Sequence, residues 1–201
     1  MQKDATEYVR KYERCQKHAP LIHQLAGHLD LISSPWPFAQ WGLDILGPFP
    51  WVTGNRRFVL VAIDYFTKWV EAEAFANIRD LDFKKFMWKS IVTRFRVPDS
   101  LISDNGLQFD NRVFREFYSD LRIKNRYSTP AYPQSNGQAE TINKTIVNGL
   151  KKRLGSAKGK WAEKLPSVLW AYQTMPRRST GETSFSLTYG AEAVIPAEVN
   201  L

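Results

Sequence analysis

The sequence predicts a mixed α/β domain in which helices pack on a five-stranded sheet. Two observations carry that expectation. Apolar runs or alternations of strand length recur five times, and segments of helical periodicity separate or follow them, in the order three strands, helix, strand, helix, strand, helices. Hydrophobic residues make up 43% of the 201 positions, enough for a sizeable core, and this includes the aromatics, 13% of the chain, which argue against disorder.

Residues 4–18 have the pattern of a short amphipathic helix. Residues 19–38 contain Pro20, Ser33, Ser34, Pro35 and Pro37 and are expected to be a linker. Trp41 to Leu46 is expected as a strand that stops at Gly47-Pro48. Arg57 to Asp64 contains a solid apolar run, the pattern of a strand buried on both faces. Trp69 to Phe75 alternates, with Trp69, Glu71, Glu73 and Phe75 on one side and Val70, Ala72 and Ala74 on the other.

Asp80 is then a natural N-cap for a helix carrying Phe83, Phe86, Met87 and Ile91 at helical spacing, with Pro98 beyond its end. Ser100 to Ser103 is a short strand, and Asp104-Asn105-Gly106 makes the turn after it. A helix over Asn111 to Leu121 and a strand over Ile123 to Tyr127 follow. A loop with Pro130, Pro133, Ser135 and Gly137 leads into a long helix from Gln138 to Leu154, broken at Gly155 to Gly159. A last helix covers Trp161 to Met175, with Leu165, Val168, Leu169 and Tyr172 on one side.

The charge balance narrows the partners. Lys and Arg number 28 against 20 Asp and Glu, giving a net charge of +8 and a pI near 9.6. Such a balance fits either a solvated basic surface or a polyanionic partner, nucleic acid above all. The longest apolar run, Phe58 to Ile63, is too short to span a membrane, and the polar, charged opening residues do not form a cleavable signal. Cys15 is the only cysteine, which excludes a disulfide framework and fits a reducing compartment.

Three carboxylates stand out by position. Asp44 lies inside an otherwise apolar strand, where a charge needs a partner or a metal. Asp104 lies where a strand ends at a glycine turn, and Glu140 lies in the first turn of the long helix. Taken singly, Asp104 fits a turn residue and Glu140 a helix-dipole residue. The long helix adds a second feature. Ala139, Ile142, Ile146, Leu150 and Leu154 form its core stripe, while Glu140, Lys144, Asn148 and Lys151 share a neighbouring face, followed by Lys152 and Arg153. That face is either a solvated i,i+4 pairing or a metal-binding carboxylate beside a phosphate-gripping stripe. Carboxylates suit Mg²⁺ or Mn²⁺, and two such ions about 4 Å apart can activate the attacking oxygen and stabilise the leaving one at phosphorus.

Four ordered motifs give a family resemblance: Trp41-Gly42-Leu43-Asp44-Ile45-Leu46-Gly47-Pro48, Leu60 to Trp69, Ser103-Asp104-Asn105-Gly106-Leu107-Gln108-Phe109, and Tyr132 to Glu140. Together they resemble the integrase of gypsy-type LTR retrotransposons, in the retroviral integrase superfamily. Thirty-five residues separate Asp104 from Glu140, as in that family's signature. The segments Trp170-Ala171-Tyr172, Ser179 to Thr183 and Leu187 to Gly190 look like the tail that follows the core.

The resemblance implies a ribonuclease-H-like core and a Mg²⁺- or Mn²⁺-dependent polynucleotidyl transferase, with two ions, that trims element 3′ ends and joins them to target DNA in the nucleus. It implies that Asp44, Asp104 and Glu140 are the metal-binding catalytic residues. Asn105, Gln134, Ser135 and Asn136 would lie beside the scissile phosphate, and Lys144 matches a DNA-contacting lysine of the family; the basic face of the long helix adds Lys151 and Lys152 as expected DNA contacts. It also implies a homo-oligomer. Asp64, though at a strand end, matches no catalytic position of the family. Residues 1–38 correspond to a remnant of the family's zinc module plus linker, 39–156 to the catalytic core, and 157–201 to a helical extension. Tyr12 stands where the module's first cysteine belongs, and one cysteine cannot complete a tetrahedral set, so no zinc is expected. The competing expectations are a transposon remnant that only binds nucleic acid, and a host nuclease of the same fold such as a ribonuclease H.

Overall fold

The computed structural model describes residues 34–104, 112–128, 142–147, 160–177 and 180–194, with Asp104 and Ser128 described by their backbone. The sheet is built from β1 (Gln40–Leu46), β2 (Phe58–Asp64), β3 (Val70–Phe75), β4 (Ser100–Asp104) and β5 (Lys124–Ser128). Its order is β3-β2-β1-β4-β5. The first three strands form an antiparallel meander, while β4 and β5 join the other edge parallel to β1. The five expected strands are all present, within a residue or two at each end. The fold is the ribonuclease-H-like arrangement that the resemblance implied.

The two faces of the sheet bury different helices. Trp41, Leu43, Leu60, Ala62 and Leu101 face one cluster, formed with Phe83, Phe86 and Met87 of one helical segment and Phe114, Phe117 and Tyr118 of another. Those residues belong to α1 (Asp80–Phe86), its continuation Met87–Val92, and α2 (Arg112–Asp120). Val59, Val61, Ile63 and Val70 face the opposite cluster, with Ile142 and Ile146 of α3 (the helical residues 142–147) and Trp161, Leu165 and Val168 of α4 (Trp161–Thr174). β2 serves both clusters, which is why its run is apolar without alternation. Each large side chain so buried contributes roughly 1.5–3 kcal/mol relative to exposure.

Two local readings change. Asp80 is not the N-cap of α1. Arg79 is, and the Asp82 carboxylate reaches back to accept the Arg79 backbone N–H at 3.2 Å. An acid three residues into a helix can close on the cap in this way, so Asp80 falls inside the first turn. The helix also widens to π-type winding over Met87–Val92, and the Thr93 N–H donates to the Trp88 carbonyl at 3.0 Å, five residues back. Phe83, Phe86, Met87 and Ile91 stay buried through the change.

The end of the expected linker is held to the core. Phe38 N–H donates to Asp64 Oδ1 at 3.0 Å, and its ring stacks on Phe95 at 4.4 Å. At the other end of the chain α5 (Ser184–Tyr189) appears, a helix that sequence periodicity did not reveal. Six residues are too few to show a 3.6-residue period. Its ends do carry the signals: the Thr183 hydroxyl accepts the Ser186 N–H at 2.9 Å, and Gly190 closes it with φ of 73°.

Candidate active site

The sheet topology determines where the acidic residues meet. β1 and β4 run parallel with Gln40 opposite Ser100, Trp41 opposite Leu101, Gly42 opposite Ile102 and Leu43 opposite Ser103. One further step along this register puts position 44 alongside position 104. Asp104 is also the last residue of β4, opposite Ser128 at the end of β5. Two of the three expected carboxylate positions therefore converge at the carboxyl ends of adjacent parallel strands, where open α/β sheets place ligands.

Asp44 is half-buried on the face that carries Gly42 and Leu46, since side chains alternate along a strand. Its carboxylate accepts hydrogen bonds on both oxygens. Oδ1 accepts the Ile45 N–H at 2.7 Å, and Oδ2 accepts the side-chain amide of Asn143. Asn143 is buried on α3, between the core residue Ile142 and the exposed Lys144. Asn143 is not among the residues that the sequence motifs single out. Its signal was a polar side chain on the shoulder of the apolar stripe, three residues beyond Glu140.

Lys144 is exposed on α3. Asn105, Gln134, Ser135, Asn136, Glu140, Lys151 and Lys152 lie outside the described residues, as does the segment 4–18 with Cys15. Among the described residues no three His, Cys, Asp or Glu side chains form a metal cluster.

Asp64 has a structural role. It is fully buried at the end of β2, and its Oδ2 accepts both the Thr67 N–H and the Thr67 hydroxyl at 2.7 Å, while Oδ1 takes Phe38 N–H. It thus ties the β2–β3 turn to the entry of β1. Burial pushes its carboxyl above the ordinary value, against the opposing pull of these hydrogen bonds. Beside it, burial pushes the Tyr65 hydroxyl up to about 12, with the negative charge of Asp44 adding to the shift.

The chain is similar to known proteins in three respects. Residues 35–133 match the family model described as integrase core domain. The Gag-Pol polyproteins of woolly monkey sarcoma virus and of gibbon ape leukemia virus are each 34% identical to it over 155 residues. Those segments cover 77% of this chain and 9% of each polyprotein, so the chain spans about a tenth of the length of these relatives. Among solved structures, a chain of the simian T-cell lymphotropic virus intasome in complex with PP2A regulatory subunit B56 gamma superposes with a TM-score of 0.72 at 20% identity, over all of this chain and 72% of that one. The HTLV-2 integrase catalytic core domain in complex with magnesium gives a TM-score of 0.63 at 19% identity, over 77% of this chain and 98% of that one. At these identities the structural likeness is one of fold.

Proposed function

We propose that this chain carries a retroviral-type integrase core domain and acts in DNA integration as a metal-dependent polynucleotidyl transferase. The observation that carries the proposal is the β1–β4 register, which brings positions 44 and 104 together at the strand ends, with Asn143 donating to Asp44. In this reading Asp44, Asp104 and Glu140 hold the divalent ions. Their oxygens are hard donors that suit Mg²⁺ or Mn²⁺, and crowded carboxylates repel one another until a cation relieves them. Bound there, a pair of such ions would activate an attacking oxygen and stabilise the leaving one at phosphorus.

The chain's own groups supply orientation. Asn143 and the Ile45 N–H each donate to one oxygen of Asp44 and so fix the plane of its carboxylate. Lys144, Lys151 and Lys152 would grip DNA phosphates. Asn105, Gln134, Ser135 and Asn136 would line the scissile bond. The substrates would be the element's 3′ ends and target DNA, which puts the reaction in the nucleus. The structural neighbours, an intasome and integrase cores in dimeric and trimeric forms, favour a homo-oligomer. Zinc has no part in this reading. Among the described residues no helix is long and apolar enough to cross a membrane.

DNA binding and chemistry are tested separately. In a strand-transfer assay with Mn²⁺, the chain should form product and Asp104→Asn should lose it. Equal product from both proteins, or none from either, would contradict catalysis and leave a nucleic-acid-binding remnant. In a salt titration Lys144→Glu should weaken DNA affinity and flatten the salt slope by about 1.

A further inference from the structure

Tyr65 is held against the candidate site by both its backbone and its ring. It follows the last residue of β2 and is 2% exposed. Its N–H donates to the Gln40 carbonyl at 2.9 Å, which fixes it beside the start of β1. The phenol then lies over Gly42. A Cβ at that position would sit 3.0 Å from Tyr65 Oη and 3.1 Å from Cε2, so the approach requires the bare backbone of glycine. Gly42 and Asp44 share one face of β1, two residues or roughly 6.6 Å apart along the strand. The phenol and the carboxylate are thus neighbours on that face, and the charge of Asp44 registers at the hydroxyl.

The hydroxyl has no solvent contact and no hydrogen-bond partner among the described residues. Leaving a buried hydroxyl unpaired costs about 1–3 kcal/mol, and phenylalanine would fill the same space without that cost. A polar atom kept under such a penalty beside a ligand carboxylate calls for a use in another state of the site. Packing gives the hydroxyl no polar use, because its near approach to Gly42 is a van der Waals contact shared with ring carbons Cε2 and Cζ.

We propose that Tyr65 is a positioning residue for Asp44, its hydroxyl donating through one bridging water to the Asp44 carboxylate when that carboxylate holds a divalent cation. The proposal rests on the reading of Asp44 as a metal ligand. Tyr65, from the β2–β3 turn, would then join the Ile45 backbone and Asn143 of α3 in orienting Asp44. Partners of this kind around a metal ligand typically change metal affinity by 10- to 100-fold when removed.

The test is Mn²⁺ binding to the whole chain, followed by electron paramagnetic resonance of the free ion, with thermal melting in the absence of metal. Tyr65→Phe should melt at or slightly above the wild-type temperature, yet bind Mn²⁺ about tenfold more weakly. Gly42→Ala, which forces the phenol away, should weaken Mn²⁺ binding in the same direction. Asp44→Asn should lose the site, and adding Tyr65→Phe to it should change nothing more. Wild-type Mn²⁺ affinity in Tyr65→Phe, with Asp44→Asn defective, would overturn the role of Tyr65 and leave the metal reading intact. Undiminished affinity in Asp44→Asn would overturn both.

Discussion

Asn143 donates its side-chain amide to Oδ2 of Asp44 across 99 residues of sequence. The bond ties α3, the helical segment just after Glu140, to the middle strand of the sheet. It makes the position of that helix and the orientation of the first carboxylate a single structural fact.

Removing that amide should therefore separate chemistry from stability. Asn143→Ala should lower the strand-transfer rate by about 10- to 100-fold, in line with other orienting partners of metal ligands. Its stability loss in urea should stay near 1 kcal/mol, the net worth of one hydrogen bond. An equal fall in activity and folded fraction would make Asn143 only a packing residue.

Asp64 should show the opposite profile. Asp64→Asn turns a donor toward the N–H or hydroxyl of Thr67, where the carboxylate accepts, so a loss of about 2 kcal/mol is expected. The pH dependence has a defined sign. Because the folded carboxyl is raised above 3.8, the folded state binds the extra proton in the window just above that value. The stability contributed by Asp64 is then fully present below pH 3.8 and declines as pH rises through the folded value. Denaturation of wild type and Asp64→Asn across that window should show their difference narrowing with pH. A widening difference would contradict the assigned burial.

Arg177 is the clasp of the C-terminal segment. Its Nη2 donates to the Lys68 carbonyl at 3.3 Å, the Tyr172 hydroxyl at 2.9 Å and the Ser184 hydroxyl at 2.7 Å. Arg177→Ala should cost about 2–3 kcal/mol, from three bonds of modest net worth. Hydrogen exchange should accelerate first in α5, which rests on Trp69 through Phe185 and Tyr189. Unchanged exchange there would show that the aromatic contacts alone hold the helix.

Strand periodicity exposed the sheet because β2 and β3 declare their burial in two different ways, one by a continuous run and one by alternation. Helix α5 stayed hidden because its stabilising contacts are aromatic and tertiary, and its cap and glycine are each common residues. The winding change at Met87 was equally invisible, since the same side chains are buried either way. At the site, Asp44 was legible as a charge inside an apolar strand. Asn143 and Tyr65 were not, because each acquires its meaning from a neighbour far away in sequence. Tyr65 reads as part of a turn until Gly42 is seen beneath its ring. Asp64 was separable from the acidic set by family spacing, and its three buried hydrogen bonds supply the physical reason for its presence.

The most direct measurement is Mn²⁺-dependent disintegration of a branched oligonucleotide that mimics the joined product, comparing the chain with Asp44→Asn. Resolution of the branch by the wild type, and a loss of at least about 10³-fold in Asp44→Asn at unchanged DNA affinity, is the expected result; removing an essential catalytic group typically costs that much or more. Branch resolution that survives Asp44→Asn would contradict a catalytic centre at the ends of β1 and β4.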